Sequence, residues 1–379
     1  MSLQVGRRGK VFLKEEAVYG VAEVLAATNF MRHVNVNFGW DPYARVTSPE
    51  RKESPGPVNR FDRRSDASLK TIEGLLRPSG TLNTVPECSP VLKAGFGQVR
   101  NVTLATTVNV GTGTVNGATL GSAAGLAKHD AVLIVAGGIK HVRFLTSVAG
   151  AVVTWAPALP SAPADGAAVK GCITYRLTTD LAISLDILHA YPSFKRELLG
   201  AGIDSLNLEF DGTEEARFTA NGPAKEQLTP GQATPGSATE VGGHPPTGMV
   251  GELRVAANAY KHTSLGIEIS NGLAVRHSEA GTERPSELFR RERRETKVKL
   301  DAFAEDETAI YDQTESGGNL AILRQNGRTE GNITAVYCPK VEFKPAETSD
   351  GEDEVRWAFE GMALETADGE NDEVILAIA

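Results

Sequence analysis

Period-two alternation of apolar and polar residues runs through most of this chain. Leu206, Leu208 and Phe210 alternate with Asn207 and Glu209, and Ala216, Phe218 and Ala220 alternate with Arg217 and Thr219. Ile183, Leu185 and Ile187 alternate with Ser184, Asp186 and Leu188, and Val34, Val36 and Phe38 are separated by Asn35 and Asn37. Ile267 and Ile269, then Val298, Leu300 and Ala302, then Ile333, Ala335 and Tyr337, then Val341 and Phe343 continue the series. Side chains alternate across a strand, so the pattern predicts half-buried antiparallel strands. The chain ends the same way: Val355, Trp357 and Phe359 point opposite to Arg356, Ala358 and Glu360, and an acidic turn leads to the apolar run Val374–Ala379. A terminus committed to pairing is expected at a sheet edge that meets a strand of the same subunit or of a neighbour.

Helical signals are few. One helix is expected over Glu87–Phe96, opened by Pro86, and another over Glu305–Glu315, with acidic residues at the electropositive N-terminal end. The residues alone therefore predict a mainly β chain with about two short helices. Two segments break the alternation. From Gly39 to Asp66, prolines punctuate mixed charges, which predicts a long loop or arm. Loops of this length are either disordered or functional, and Trp40 and Tyr43 suggest a surface for it to pack on, such as a partner subunit. The segment Gln227–Gly251, rich in Gly, Pro, Thr and Ala, also reads as a loop.

Between Leu104 and Gly171 only 6 of 68 residues are charged, against 23% overall, so composition marks a distinct unit. Strand-like runs at Ala131–Ala136, His141–Thr146 and Ala151–Trp155 are separated by Gly137-Gly138 and Ala149-Gly150, as in small antiparallel strands joined by tight turns. This predicts an inserted β-module. With 379 residues the chain has room for two units and a sizeable core without staples.

Three widely spaced cysteines, Cys88, Cys172 and Cys338, argue against a disulfide framework and fit a reducing cytoplasm. No apolar run follows the basic residues near Met1, so a signal peptide is not expected, and no run approaches the length of a membrane span. The formal net charge of −9 disfavours sequence-independent binding of DNA or anionic membranes.

Reaction chemistry finds little support. The sequence has no GxSxG elbow, HExxH, P-loop or EF-hand pattern, and in Gly111-Thr-Gly113-Thr-Val-Asn-Gly117 an asparagine stands where a dinucleotide fingerprint needs its third glycine. His33, His129, His141, His189, His244, His262 and His277 lack ligand spacing and read as surface or cross-strand residues. Acidic runs at Asp350–Glu354 and Asp368–Glu373 lack the glycine and bidentate glutamate of a calcium loop and read as solvated turns. No catalytic residue, cofactor or metal is expected.

Charge points to assembly instead. Phe289–Leu300 carries six basic and two acidic residues, whereas Glu347–Glu373 carries eleven acidic residues and one basic. Thr296, Val298 and Leu300 face one way while Lys297, Lys299 and Asp301 face the other, so a strand with one charged face explains the segment better than a nucleic-acid patch. Opposite patches on one chain suit head-to-tail self-association, with Arg290, Arg291, Arg293 and Arg294 set against Glu352, Asp353, Glu354, Asp372 and Glu373.

The order of segments resembles the major tail tube protein of long-tailed, siphovirus-like bacteriophages. The resemblance is carried by Lys14-Glu-Glu-Ala-Val-Tyr19-Gly20, Gly200-Ala-Gly-Ile-Asp-Ser-Leu-Asn-Leu208 and Ser270-Asn-Gly272 leading to Arg294. It continues through Leu300-Asp-Ala-Phe, Gly331-Asn-Ile-Thr-Ala-Val-Tyr-Cys-Pro339 and Arg356-Trp-Ala-Phe-Glu-Gly, closing on Glu370-Asn-Asp372-Glu373. It implies two packed antiparallel sheets, a β-sandwich or half-barrel with one or two short helices, over residues 1–103 and 172–379. The small β-module at 104–171 departs from the smallest members and resembles extra domains carried on the outer surface.

The resemblance further implies a virion protein made in the host cytoplasm, forming hexameric rings that stack into a tube for genome ejection. Tape measure, tail terminator and baseplate proteins would be its partners, DNA would pass without specific binding, and no membrane would be involved. The arm, with Trp40, Tyr43, Arg45, Arg51, Lys52, Arg63 and Arg64, and the chain ends would make inter-ring contacts. Two alternatives remain: a baseplate, distal tail or secretion-system relative of the same fold, and a carbohydrate-binding or hydrolytic β-protein using Trp40, Trp155 or Trp357. The low aromatic content, 6%, weighs against the second.

Overall fold

The structure is a computed structural model that describes residues 9–42, 46–47, 60–61, 65–180, 183–229, 233–236, 238–256, 258–277, 279–303, 311, 314–345, 347–350 and 355–379. The expected mainly β class holds: the described residues contain one α-helix of eight residues, Ser89–Phe96, and antiparallel sheets. Pro90 stands in its first turn, where a missing N–H is tolerated, and Gly97 closes it at φ 102°. The second expected helix, Glu305–Glu315, lies mostly outside the described residues, although Tyr311, Thr314 and Glu315 have helical backbone.

The largest sheet has fifteen strands. Its path starts at Asn258–Tyr260 and passes through Gly251–Val255, Asn319–Asn326, Thr334–Phe343, Val355–Ala363, Glu295–Phe303, His262–Ser270, Ser205–Asp211, Arg217–Ala224 and Asp66–Leu75 to Asn35–Asp41. A second sheet runs from Glu226–Leu228 through Lys195–Ala201, Leu185–Ala190 and Lys10–Glu15 to Phe30–Met31. The two sheets and the helix share one core: Val11, Leu13 and Ile187 from the smaller sheet join Leu69, Leu206 and Phe218 from the larger and Val91 and Leu92 from the helix.

Alternation predicted the burial of most large-sheet strands. Leu206, Leu208 and Phe210 are buried, as are Thr296, Val298, Leu300 and Ala302, while Lys297 and Lys299 are exposed. It failed for Leu185–Ala190, which is buried at every position. That strand lies between two others, with the main core on one face and Phe12, Leu25, Phe30, Leu188 and Ala190 packed on the other.

The final strand, Ile375–Ile378, is also no edge. It pairs with Ile173–Leu177 on one side and Thr334–Phe343 on the other, and Ala379 exchanges both backbone hydrogen bonds with Ile333. The apolar C-terminal run is paired on both sides within the protomer, the same-subunit outcome of the pairing expected for it.

One glycine shows how closely the elements approach. Gly222 sits at the bulge where Arg217–Ala224 crosses 202–204, and a Cβ there would lie 2.1 Å from the Gly202 carbonyl oxygen. Gly222→Ala is expected to destabilise the fold by about 3 kcal/mol through overpacking. Urea denaturation of the variant measures this.

Residues 105–171 build a six-stranded sheet of their own, ordered Ala105–Thr107, Ala168–Gly171, Ala131–Ala136, Ile139–Ala149, Val152–Ala156 and Gly117–Thr119. Its two margins meet: Asn109 N donates to Thr119 O at 2.8 Å and Gly121 N to Thr107 O at 2.9 Å. The sheet therefore closes as a small barrel filled by Val132, Ile134, Leu145, Val153, Trp155 and Val169. Trp155 is core, with its indole N–H donating to Val115 O, and offers no stacking face.

The barrel grows out of the paired strands Gly97–Asn101 and Ile173–Leu177, and its outer residues Leu133, Val142 and Phe144 pack on Leu323, Ala335, Tyr337, Ile375 and Ala377. Its few charges explain themselves at this seam. Lys128 pairs with Glu370, Asp130 with Arg100, Lys140 and Lys170 with Glu330, and Arg143 with Glu252, leaving Asp165 to accept from Gly111 N.

Candidate assembly surfaces

The two terminal strands of the large-sheet path are each paired on one side only among the described residues. Asn258–Tyr260 pairs with Gly251–Val255, and Asn35–Asp41 pairs with Asp66–Leu75. Such margins present backbone donors and acceptors to another strand.

The predicted arm overlaps the second of these hairpins at both of its ends. Gly39–Asp41 and Asp66 are strand residues, so the irregular segment is shorter than its sequence suggested. Val46–Thr47 and Arg60–Phe61 pair as a separate two-stranded sheet, with Val46 opposite Phe61 and Thr47 opposite Arg60. Trp40 is half-buried against the main core. Tyr43, Arg45, Arg51, Lys52, Arg63 and Arg64 lie outside the described residues.

The face of the large sheet that points away from its core forms continuous cross-strand rows. One runs Asn35, Glu73, Thr219, Asn207, Glu268, Lys297, Met362 and Glu342; the next runs Arg217, Glu209, Gly266, Lys299 and Glu360. A third carries Asp211, Ser264 and Asp301. Acids outnumber bases on this face, and one of its lysines, Lys299, is tied to Glu360 at 3.0 Å. Sequence reading identified the polar side of each strand but not the order that joins them into one surface.

The charged patches are organised differently from the expectation. Arg294 is nearly buried and meets Glu373 at 2.5 Å, Asn371 Oδ1 at 3.1 Å and the carbonyl of Thr178 at 3.0 Å, all within one protomer. Arg290 donates to the carbonyls of Asn271 and Thr179, and burial followed by the neighbouring Arg294 lowers its pKa. Arg291 and Arg293 are exposed, and Arg291 lies 2.7 Å from Glu292.

The acidic turn is not solvated throughout. Asp372 is buried, accepting from Thr366 N and Oγ1, and Glu373 is held by Arg294. Glu370 is held down at about 2 by hydrogen bonds from Lys128 and then His129 of the barrel. Part of the charge complementarity read between subunits is thus satisfied inside one. Glu352, Asp353 and Glu354 lie outside the described residues.

Of the histidines, His244 and His277 are exposed and His141 and His189 stand on paired strands, in line with a surface or cross-strand role; His129, His141 and His189 are buried, the first two against Glu370 and Glu252. Among the described residues no group of three His, Cys, Asp or Glu is placed to hold a metal ion. No described helix is long and apolar enough to cross a membrane. The sequence also missed a buried acidic hub: Glu16, Asp186 and Glu197 are spread over three strand-bearing segments, and no spacing links them.

Compared with known proteins, residues 6–363 match a family model described as phage tail tube protein. No curated protein matches the chain.

Proposed function

Because the chain belongs to the phage tail tube protein family, we propose that its copies form hexameric rings stacked into a tail tube that conducts the genome at ejection. The observation that carries this reading is the pair of one-sided margins, Asn258–Tyr260 and Asn35–Asp41, at the two ends of one sheet path with a continuous polar face. Pairing of margins between neighbours would complete the backbone hydrogen bonds and close the sheet around a lumen. The polar rows, rich in Glu and Asp, would then line the bore, where an excess of acids keeps the DNA backbone from being held by lysine and arginine.

In this arrangement the barrel of residues 105–171 lies on the outside. Its seat on Asn319–Asn326, Thr334–Phe343 and Ile375–Ile378 is at the end of the sheet path away from Asn35–Asp41, whereas most residues of the polar rows stand on Arg217–Ala224, Ser205–Asp211, His262–Ser270 and Glu295–Phe303. A closed barrel has no margin to offer and takes no part in edge pairing. The segment between Asp41 and Asp66 would reach an adjacent ring, and tape measure, terminator and baseplate proteins would meet the tube at its bore and ends. The role is structural, in the virion, and assigns no catalytic residue or cofactor.

Negative-stain electron microscopy of purified protein at rising concentration tests the proposal. Hollow tubes of uniform bore are expected. A product that stops at single rings would assign the chain to a hub or cap, and a protein that stays monomeric would refute the reading.

A further inference from the structure

The pairing pattern of the sheets occurs twice along the chain. In the first half, Lys10–Glu15 pairs with Phe30–Met31 and with Leu185–Ala190, which pairs with Lys195–Ala201, which in turn pairs with Glu226–Leu228. In the second half, Gly251–Val255 pairs with Asn258–Tyr260 and with Asn319–Asn326, which pairs with Thr334–Phe343, whose first residues pair with Ile375–Ile378. The strands that carry the polar rows repeat in the same way. Asn35–Asp41, Asp66–Leu75, Arg217–Ala224 and Ser205–Asp211 lie side by side, and so do His262–Ser270, Glu295–Phe303, Val355–Ala363 and the end of Thr334–Phe343. Every one of these pairings is antiparallel.

Chain order matches as well. In each half a long hairpin, Asn35–Asp41 with Asp66–Leu75 or His262–Ser270 with Glu295–Phe303, is followed by helical backbone, at Ser89–Phe96 and at Tyr311, Thr314 and Glu315. One long strand, Thr334–Phe343, stands where the first half uses two, Lys195–Ala201 and Ser205–Asp211. Four antiparallel steps separate Asn35–Asp41 from His262–Ser270, so the two hairpins open toward the same end of the sheet, where Ser65 Oγ donates to the Glu283 carbonyl at 3.3 Å. The sequence keeps a trace of the repeat. Arg217-Phe-Thr-Ala-Asn-Gly222 stands on the strand matched by Arg356-Trp-Ala-Phe-Glu-Gly361, and Leu208-Glu-Phe210 on that matched by Val341-Glu-Phe343.

We infer that the chain is a tandem pair of tube units, residues 10–228 and 251–378, so that three copies complete a ring of six units. The inference rests on the tube reading and assigns the six-fold character of the ring to units rather than chains. The junction between units is already made once inside the chain, by Ser205–Asp211 on His262–Ser270. Asn35–Asp41 holds in the first unit the place of His262–Ser270 in the second, and is the strand left to make the same junction with another copy. Width agrees with this count. Each unit brings four polar-row strands, eight per chain, so three chains give 24. At about 4.8 Å per strand that wall is about 115 Å around and roughly 37 Å across before tilt. Six chains would double the width, far beyond what one DNA duplex fills.

The barrel of residues 105–171 serves as a natural label, because it is inserted in the first unit alone. Electron cryomicroscopy of wild-type tubes should show three outer projections per ring with three-fold symmetry, and mass per unit length should correspond to three chains per ring. Tubes with six projections and six chains per ring would overturn the tandem-unit inference and leave the tube reading standing. Assembly that stops at single three-fold rings would support the inference and overturn the tube. Protein that never assembles overturns both.

Discussion

Replacing Glu252 with alanine is expected to destabilise the protein by about 3–5 kcal/mol, the penalty for stranding a buried charge. Glu252, on Gly251–Val255, accepts from Arg143 Nη1 at 2.8 Å and lies 2.9 Å from His141 Nδ1; its other oxygen accepts from Arg254 Nε at 3.1 Å. Arg143 belongs to the barrel and is 0% exposed. Its Nη1 also reaches the Val142 carbonyl, but Nε and Nη2 have no partner among the described residues, and burial already lowers its pKa. Burial pushes the Glu252 carboxyl up, yet His141 and Arg143 more than reverse this and hold it below the usual carboxylate range.

Without Glu252 the barrel would face the body with an uncompensated guanidinium beside the apolar contact of Phe144 on Tyr337, whose rings stack at 5.2 Å. Glu252→Gln, which keeps the volume and one acceptor, should lose less. Chemical denaturation of both variants checks the order, and an unchanged midpoint for Glu252→Ala would show that the seam does not depend on this pair.

Asp186→Asn should act in the opposite direction and stabilise the protein at pH 8. Asp186 is fully buried, and its pKa is pushed up to about 7, first by burial and then by the nearby carboxylates Glu197 and Glu16, against a lowering hydrogen bond from Glu23 N. An unfolded aspartate titrates near 3.9, so the folded protein binds the extra proton between about pH 4 and 7. Stability is therefore undiminished by this group below about pH 4, falls as pH rises, and is lowered by up to about 4 kcal/mol above pH 7.

An amide at position 186 removes that charge while keeping an acceptor for Glu23 N and supplying a donor toward Glu197. Denaturation midpoints at pH 4, 6 and 8 should show wild type losing stability relative to Asp186→Asn as pH rises. Parallel profiles would contradict the raised pKa.

These two sites were also the least legible in the sequence. Alternation located the strands because each has one solvated face, as at Thr296–Ala302 with Lys297 and Lys299 outside. It misread Leu185–Ala190, where Asp186 looked like a solvent-facing residue but lies between two strands beneath the 16–25 loop. Low charge density marked residues 104–171 as distinct, yet the reason, a closed barrel whose charges converge on one docking seam, required the partners Glu252, Glu330 and Glu370 to be brought from far along the chain.

Charge counts likewise found the basic and acidic segments. They could not show that Arg294 and Glu373 meet within a single protomer. The polar face was legible strand by strand and became a surface only through the pairing order, which sequence leaves undetermined where neighbours such as Glu295–Phe303 and Val355–Ala363 are separated by other strands.

Hydrogen–deuterium exchange before and after assembly tests the central claim most directly, because it reads the backbone amides of the sheet margins themselves. The account predicts that amides of Asn258–Tyr260 and Asn35–Asp41 exchange faster in the monomer and become protected in the tube, while Ile375–Ile378 is protected in both. Tubes in which both margins exchange as freely as in the monomer would contradict it.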